Sequence, residues 1–455
     1  MLFENAMKTT RRNFLKTAGV ASAGLLLGGN GLSAKSYRQI IGSNDRIHVA
    51  LIGCNRRFDS ISQAMSKCKD VEVTYVCDVD KRRQDKAVSR IQKLLGYNPK
   101  AEKDLRKILE QKDVDAIFNM TPDHWHAPGA WMALQAGKHV YLEKPCTHNP
   151  NEGEVLLAFQ KKYPNLLVQV GNQQRSSIES KEIIKEIHEG IIGEAYQATA
   201  FYIANRGRVN NPKKVPAPGF LDWELFQGPA PRTDFFDIWE DYNWHWYWIY
   251  GTAEAGNNAM HELDIARWAL QAETPHEVSA FGYKNNYKDD GWTMYDTMDV
   301  VYKFPGDKII KWDCKCRNGL NTFAYPGGRG TIIYGTKGSV FADRNGYKLY
   351  DLGGKLIRDV ASKEQNHTTG LGGSGGGLDA MHPRNFFEAI RGREKLNSSL
   401  DQGIKSTFLC HLANISYKEG NRPLKINPET GRFTDKKVMK KHWKREYEKG
   451  WAPVI

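Results

Sequence analysis

A lysine followed by proline, Glu143-Lys144-Pro145, closes one apolar run of this chain. A histidine sits in a helical segment 117 residues later, in His261-Glu262-Leu263-Asp264-Ile265-Ala266-Arg267-Trp268. A lysine at a strand end is a cation aimed at whatever binds there, and a histidine on a helix is suited to accept a proton near neutral pH. His261 and Asp264 are three apart and share a helix face. No second ligand stands four residues from His261, so acid/base work fits better than metal binding, and no metal is expected. A third motif, Thr121-Pro122-Asp123-His124-Trp125-His126, closes another apolar run twenty residues before Lys144. The competing readings are a solvated loop lysine and a histidine without chemistry.

A phosphate-binding turn is the next candidate. Gly53-Cys54-Asn55-Arg56-Arg57-Phe58 follows the first apolar run, where a dinucleotide fingerprint needs G-x-G-x-x-G. Only the first glycine is present. Asn55 tolerates a positive φ better than most residues and could hold the turn, Phe58 takes the place of the packing glycine, and Arg56 or Arg57 could reach a phosphate. Asp78 closes the second run 25 residues after Gly53, near the usual place for an acid on the adenosine ribose. That acid favours NAD over NADP, while Arg82 and Arg83 keep NADP open. A plain strand-end cap is the alternative for Asp78.

The elements that would position these groups alternate. Strands are predicted at 46–53, 71–78, 114–121, 139–143 and 166–171, with helices at 55–68, 81–95, 105–110, 127–136 and 151–162. Such alternation implies a parallel Rossmann sheet with right-handed crossovers, and ligands then bind at the carboxyl ends of the strands. The pattern changes further on. Strands at 195–204, 277–285, 297–304, 308–315, 331–334, 339–342 and 347–350, joined by turn chemistry such as Pro305-Gly306-Asp307, predict a large open, mostly antiparallel sheet. An aromatic insertion spans 205–250, a helix lies near 258–270, a glycine-rich loop spans 369–377, and closing helices fall at 383–391 and 401–417. The fold class is therefore α/β: a Rossmann domain at 45–170 and a second α/β domain at 171–430, flanked by a leader at 1–36 and a basic tail at 431–455.

Net charge is +13. The leader and residues 435–449 contribute +4 each, leaving +5 for the body, so a nucleic-acid partner is not expected and the tail reads as a solvated surface. Seven cysteines in 455 residues are too few for a disulfide scaffold, and buried thiols are expected. Thr10-Arg11-Arg12-Asn13-Phe14-Leu15-Lys16 before the small, apolar stretch 18–29 is a twin-arginine export pattern, too short for a spanning helix. It points to a periplasmic or otherwise exported protein with no stable membrane span after signal removal. That route carries folded cargo and suits a protein that loads a cofactor first.

Taken together, the leader, VALIGC (49–54), TPDHWHA (121–127), LEKP (142–145), Gly171-Asn172-Gln173-Gln174-Arg175, LDWELFQGPAP (221–231), YNWHWYWIYG (242–251) and HELDIARWAL (261–270) resemble the Gfo/Idh/MocA oxidoreductases. The likeness is greatest to their exported, twin-arginine branch. The resemblance implies a tightly held NAD, with NADP as the alternative. It implies a sugar or polyol substrate and a homo-oligomer formed through the C-terminal sheet. It implies catalysis by Lys144 and His261, and a nucleotide site drawing on Gly53, Asn55, Arg56, Arg57, Asp78, Thr121, Pro122, His124, His126, Glu143 and Lys144. Many relatives carry an aspartate four residues before the histidine, where this chain has Asn257. Substrate contacts are expected from Gln174, Tyr202, Arg206, Trp244, His245, Trp246 and His261, with the rings around His245 offering flat faces to a pyranose. Three functions fit: net hydride transfer on a sugar, an NAD-dependent glycosidase or 3-keto-glycoside lyase, and a non-catalytic carbohydrate binder.

The leader generates a direct test. Changing Arg11→Lys together with Arg12→Lys should leave precursor in the cytoplasm when fractions are blotted, and normal export of the double mutant would sink the twin-arginine reading.

Overall fold

The computed structural model describes residues 46–454 except 238, 240, 321–325 and 364–376. The leader, and all but the last residue of the glycine-rich loop, lie outside the described residues. The first half folds as β1 (Ile47–Ile52), α1 (Arg56–Met65), β2 (Val71–Cys77), α2 (Lys81–Leu95), β3 (Lys100–Glu102), α3 (Leu105–Leu109), β4 (Ala116–Asn119), α4 (Asp123–Gln135), β5 (His139–Leu142), α5 (Pro150–Lys162) and β6 (Val168–Val170). The six strands pair in parallel in the order β3-β2-β1-β4-β5-β6. β1 is buried along nearly its whole length, as a strand covered on both faces must be, and so it reads as an unbroken apolar run.

The second half contains α6 (Ile178–His188), β7 (Ala195–Ile203), α7 (Trp223–Gln227), a π-helical turn at Ala255–Ala259, α8 (Met260–Leu270), β8 (Glu277–Tyr283), β9 (Thr297–Lys303), β10 (Ile309–Lys315), β11 (Arg329–Gly335), β12 (Gly338–Asp343), β13 (Gly346–Asp351), β14 (Leu356–Ala361), α9 (Leu378–Ile390), α10 (Leu400–Lys418), β15 (Leu424–Lys425) and α11 (Lys436–His442). Nine strands form one sheet in the order β14-β13-β12-β11-β7-β10-β9-β8-β15. All pairs are antiparallel except β7 with β10. Burial alternates along β9, the mark of a sheet with one covered and one open face. α8 packs on β7 and β11, and α10 packs on β8 and α8.

Two expectations need correction. Helix α4 starts at Asp123, not at 127, so Asp123-His124-Trp125-His126 of the TPDHWH motif form its first turn, with Pro122 as the cap, rather than a strand end. Pro128 sits in the second turn of this helix. Proline there leaves the carbonyl of His124 without its intrahelical donor, and the Arg445 guanidinium donates to that oxygen at 2.6 Å instead. The basic tail is likewise more than a solvated surface. Its lysines 436, 437, 440, 441 and 444 are exposed, but Val438 and Trp443 are buried and Arg445 pairs with Glu152 at 2.8 Å. The seven cysteines are free thiols, all buried except the half-buried Cys68. No helix among the described residues is long and apolar enough to cross a membrane.

One buried ion pair sets the position of α8. Arg175, in the turn after β6, donates from Nε and Nη2 to Asp264 at 2.7 and 2.9 Å, and both side chains are within a few per cent of complete burial. Ser406 on α10 donates to the same carboxylate at 2.5 Å. Asp264→Ala should therefore lower stability by about 3–5 kcal/mol in chemical denaturation, because it strands a buried guanidinium. A loss under about 1 kcal/mol would show that the pair is dispensable.

Candidate active site

The carboxyl ends of the parallel strands open into two adjoining cavities of about 280 and 80 Å³ that share Asn55, Met120, Thr121 and Trp244. The smaller is lined by Gly53, Asp78, Arg83, Pro122 and, from α7, Leu225 and Phe226. Gly53 has φ +88°, and a Cβ there would lie 2.5 Å from the carbonyl oxygen of Met120. The close approach of the β1 turn to the end of β4 therefore needs glycine. Asp78 accepts from the backbone N–H groups of Cys54 at 2.7 Å and Asp80 at 2.9 Å. Burial raises its carboxyl above the usual range, partly offset by Arg83. Asp78 is thus a cap for the turn and also a wall of the cavity.

The turn differs from its sequence reading. Asn55 has φ −89°, extended rather than left-handed, and its amide donates to the backbone carbonyl of Asp241 at 2.9 Å. Arg56 pairs with the carboxylate of Asp241 at 2.6 Å. The aromatic insertion is thereby tied across the turn. Phe58 is 2 % exposed and packs with Val49 and Leu51 in the Rossmann core. Helix-to-strand contact here rests on a large ring, where the fingerprint would use a glycine. Arg57 is not a free phosphate ligand: its Nε donates to Glu143 at 2.6 Å and its Nη1 to Asp379 at 2.7 Å. Burial pushes Glu143 up, and the Arg57 guanidinium outweighs it, so the carboxyl sits below the usual range.

The larger cavity gathers Lys144, His261, His126, Glu143, Tyr202, Arg206, Trp244 and His245. The Lys144 ammonium donates to the main-chain carbonyl of Asn257 at 2.6 Å. Burial lowers its pKa, opposed by Glu143 and Asp123. His261 is 7 % exposed, in the first turn of α8, and its ring makes no hydrogen bond among the described residues. Burial, with the cations Arg344, Lys144 and Arg329, holds it well below 6.5, so the imidazole is neutral and able to accept a proton. His126 Nδ1 contacts the carbonyl of Pro145 at 2.7 Å, and its buried Nε2 has no partner. Trp244 stacks on His245 with centroids 3.5 Å apart.

Three expected site residues lie elsewhere. His124 Nε2 is bound to the carbonyl of Phe226 at 2.9 Å. Gln174 donates to the carbonyl of Asp343 at 2.8 Å, and its neighbour Gln173 faces the cavity. Trp246 stacks on Trp292 at 3.9 Å and is 1 % exposed. Tyr247, too, is core, its hydroxyl donating to Gly291. Residues the sequence reading missed are Asp123, Tyr242, Asn258, Arg329 and Arg344. Asp123 stood inside a motif already singled out. The two arginines sit at sheet ends, at the start of β11 and just after β12, with no local pattern to mark them.

Two family models match the chain, one described as the oxidoreductase family with an NAD-binding Rossmann fold over residues 47–172, the other as the GFO/IDH/MocA C-terminal domain over residues 181–341. Together they span more than half of it. The chain belongs to the Gfo/Idh/MocA family. A glycosyl hydrolase family 109 protein of Shewanella baltica (strain OS185) is 29% identical over 212 residues, 42% of this chain and 46% of that one. The chain thus spans under half the length of the curated relatives it matches. Among solved structures, aldose-aldose oxidoreductase from Caulobacter crescentus, complexed with glycerol, aligns over 84% of this chain and 100% of that one, with TM-score 0.61 and 17% identity. WlbA dehydrogenase from Bordetella pertussis, in complex with NADH and UDP-GlcNAcA, aligns over 84% and 99%, also with TM-score 0.61 and 17% identity. These likenesses show the fold.

The cleft fits the family's cofactor on its own geometry. The Gly53 approach, the acid at the end of β2, the open α1 N-terminus and the continuity of the two cavities are what an extended dinucleotide requires. Asp78→Ala should weaken NAD binding and narrow the NAD/NADP preference by about 2–4 kcal/mol, read by titration of each nucleotide. Lost stability with unchanged preference would leave Asp78 as a cap alone.

Proposed function

We propose that this Gfo/Idh/MocA protein is an NAD-dependent oxidoreductase acting on a sugar or sugar-derived polyol. The observation that carries the reading is the convergence of Lys144, at the end of β5, and His261, at the start of α8, on the cavity that continues the nucleotide cleft. NAD bound there supplies a hydride acceptor that can return the hydride to the same carbon. The Lys144 ammonium, oriented by the carbonyl of Asn257, hydrogen-bonds the reacting hydroxyl and stabilises alkoxide character as its proton leaves. Neutral His261 takes that proton. The stacked Trp244 and His245 offer a face to the sugar ring, and Arg206, held by Glu254, with Tyr202 closes the rim.

The curated relatives named glycosyl hydrolases favour a second reading. In it, oxidation at C3 acidifies the neighbouring C–H, the aglycone is eliminated, water adds, and the hydride returns, so no outside electron acceptor is needed. Export by the twin-arginine route accords with this reading, since a protein beyond the cytoplasm meets no free nucleotide pool. Exposed Tyr196 on β7 and Phe281 and Tyr283 on β8 support a homo-oligomer formed through the C-terminal sheet.

Denatured protein should release NAD(H), and Lys144→Ala and His261→Ala should each lower turnover on sugars or aryl glycosides by roughly 10² or more with nucleotide content retained. Both act on one proton transfer, so the double mutant should cost less than the sum of the singles. Because His261 is held neutral, the acid limb of kcat/KM should lie below pH 6.5. Near-wild-type turnover in either single mutant would remove the assigned roles, and absence of nucleotide from every preparation would remove the redox reading.

A further inference from the structure

A third pocket, of about 150 Å³, lies behind the segment that follows Lys144. Its walls come from His148 and Asn149, from Trp248 and the 251–252 turn, from Lys418 at the end of α10, and from the tail after α11. Thr252 separates it from the active-site cleft. Its hydroxyl donates to Asp123 at 2.5 Å on the cleft side, and its carbonyl accepts from Asn414 at 2.8 Å on the other.

Every titratable side chain lining this pocket is a lysine, arginine or histidine. The acids nearest to it are already engaged. Glu152 accepts from the backbone of His148 at 2.7 Å, from Arg445 at 2.8 Å and from Tyr447 at 2.8 Å. Glu419 accepts from Lys441 and His442 at 2.9 and 2.7 Å. Lys418 places its ammonium 3.7 Å from the Trp248 ring centroid, and neither it nor Lys444 forms an ion pair among the described residues. Several buried polar atoms of the lining have no partner: both ring nitrogens of His148, Nδ2 of Asn149, and Nε and Nη1 of Arg445. Buried donors without an acceptor are costly, and Lys418 and Lys444 add positive charge that no carboxylate among the described residues pairs with.

From this cluster we infer a binding site for a small oxyanion, a sulfate or phosphate group, carried either as the free ion or as an ester on a sugar. The pocket's volume suits one such tetrahedral group, and the arginine, amide and lysines that line it are the donors it needs. The site is distinct from the proposed nucleotide and sugar cleft and does not depend on what that cleft does.

Calorimetric titration of the cofactor-loaded protein tests it, with inorganic sulfate, inorganic phosphate and glucose 6-sulfate each at ionic strength fixed by chloride. One-to-one saturable binding should appear with at least one of the three. It should weaken about tenfold or more in Lys418→Gln and in Lys444→Gln, both surface changes compatible with folding, and stay unchanged in Arg56→Gln. Ester binding tenfold tighter than the free ions would support the site with the sugar ester as its source, and equal or weaker ester binding would support it with the free ion. No saturable heat above the chloride control would overturn the proposal. So would binding lost in Arg56→Gln and kept in Lys418→Gln, since the anion would then sit in the nucleotide cleft.

Discussion

The buried contact between Arg175 and Asp264 is the constraint on which the site's geometry depends. It joins the turn that leaves the Rossmann sheet to the helix that carries His261. Asp264 lies three residues after His261, so fixing one fixes the facing of the other along the same helix. Ser406 and Arg267 extend the pair into α10, which in turn covers the second sheet. A charge pair this deep gains less from attraction than it stands to lose if one partner is removed. Its effect is to hold α8 in place against the turn that follows β6.

A second ionic knot does comparable work at the other wall of the cleft. Arg57 on α1 holds Glu143 after β5 and Asp379 on α9 together, and Gly171 leaves room for the Glu143 carboxylate, which a Cβ would meet at about 3 Å. The residue preceding Lys144 is thereby immobilised. Lys144 and His261 are thus each adjacent, in sequence or on one helix face, to a carboxylate locked by an arginine.

The parallel strands were legible because burial on both faces demands continuous apolar runs, as in 47–52 and 139–142. The alternating strands of the second sheet were equally plain. β3 and β14 escaped because edge strands are short or exposed and carry no strong pattern, and β15 is only two residues long. The start of α4 was hidden by a proline whose defect is repaired by Arg445, more than 300 residues away, which no local window can reveal. The same holds within the site. Lys144 and His261 stood out through type and position, whereas Arg329 and Arg344 are brought in by sheet topology alone. Trp246 and Gln174 have the composition of binding residues but point away from the cleft, since sequence spacing in an irregular insertion does not fix which way a side chain faces.

The anchor of Lys144 is a main-chain oxygen, supplied by a π-helical turn of the kind that recurs at functional sites. Its acceptor therefore belongs to the path of the backbone rather than to the side chain of residue 257. An acid or an amide there changes the local field but leaves the lysine tethered. The side chain of Asn257 has other work, its amide donating to the Tyr242 hydroxyl and to Glu254, while the reach of the ammonium into the cleft is set by the backbone.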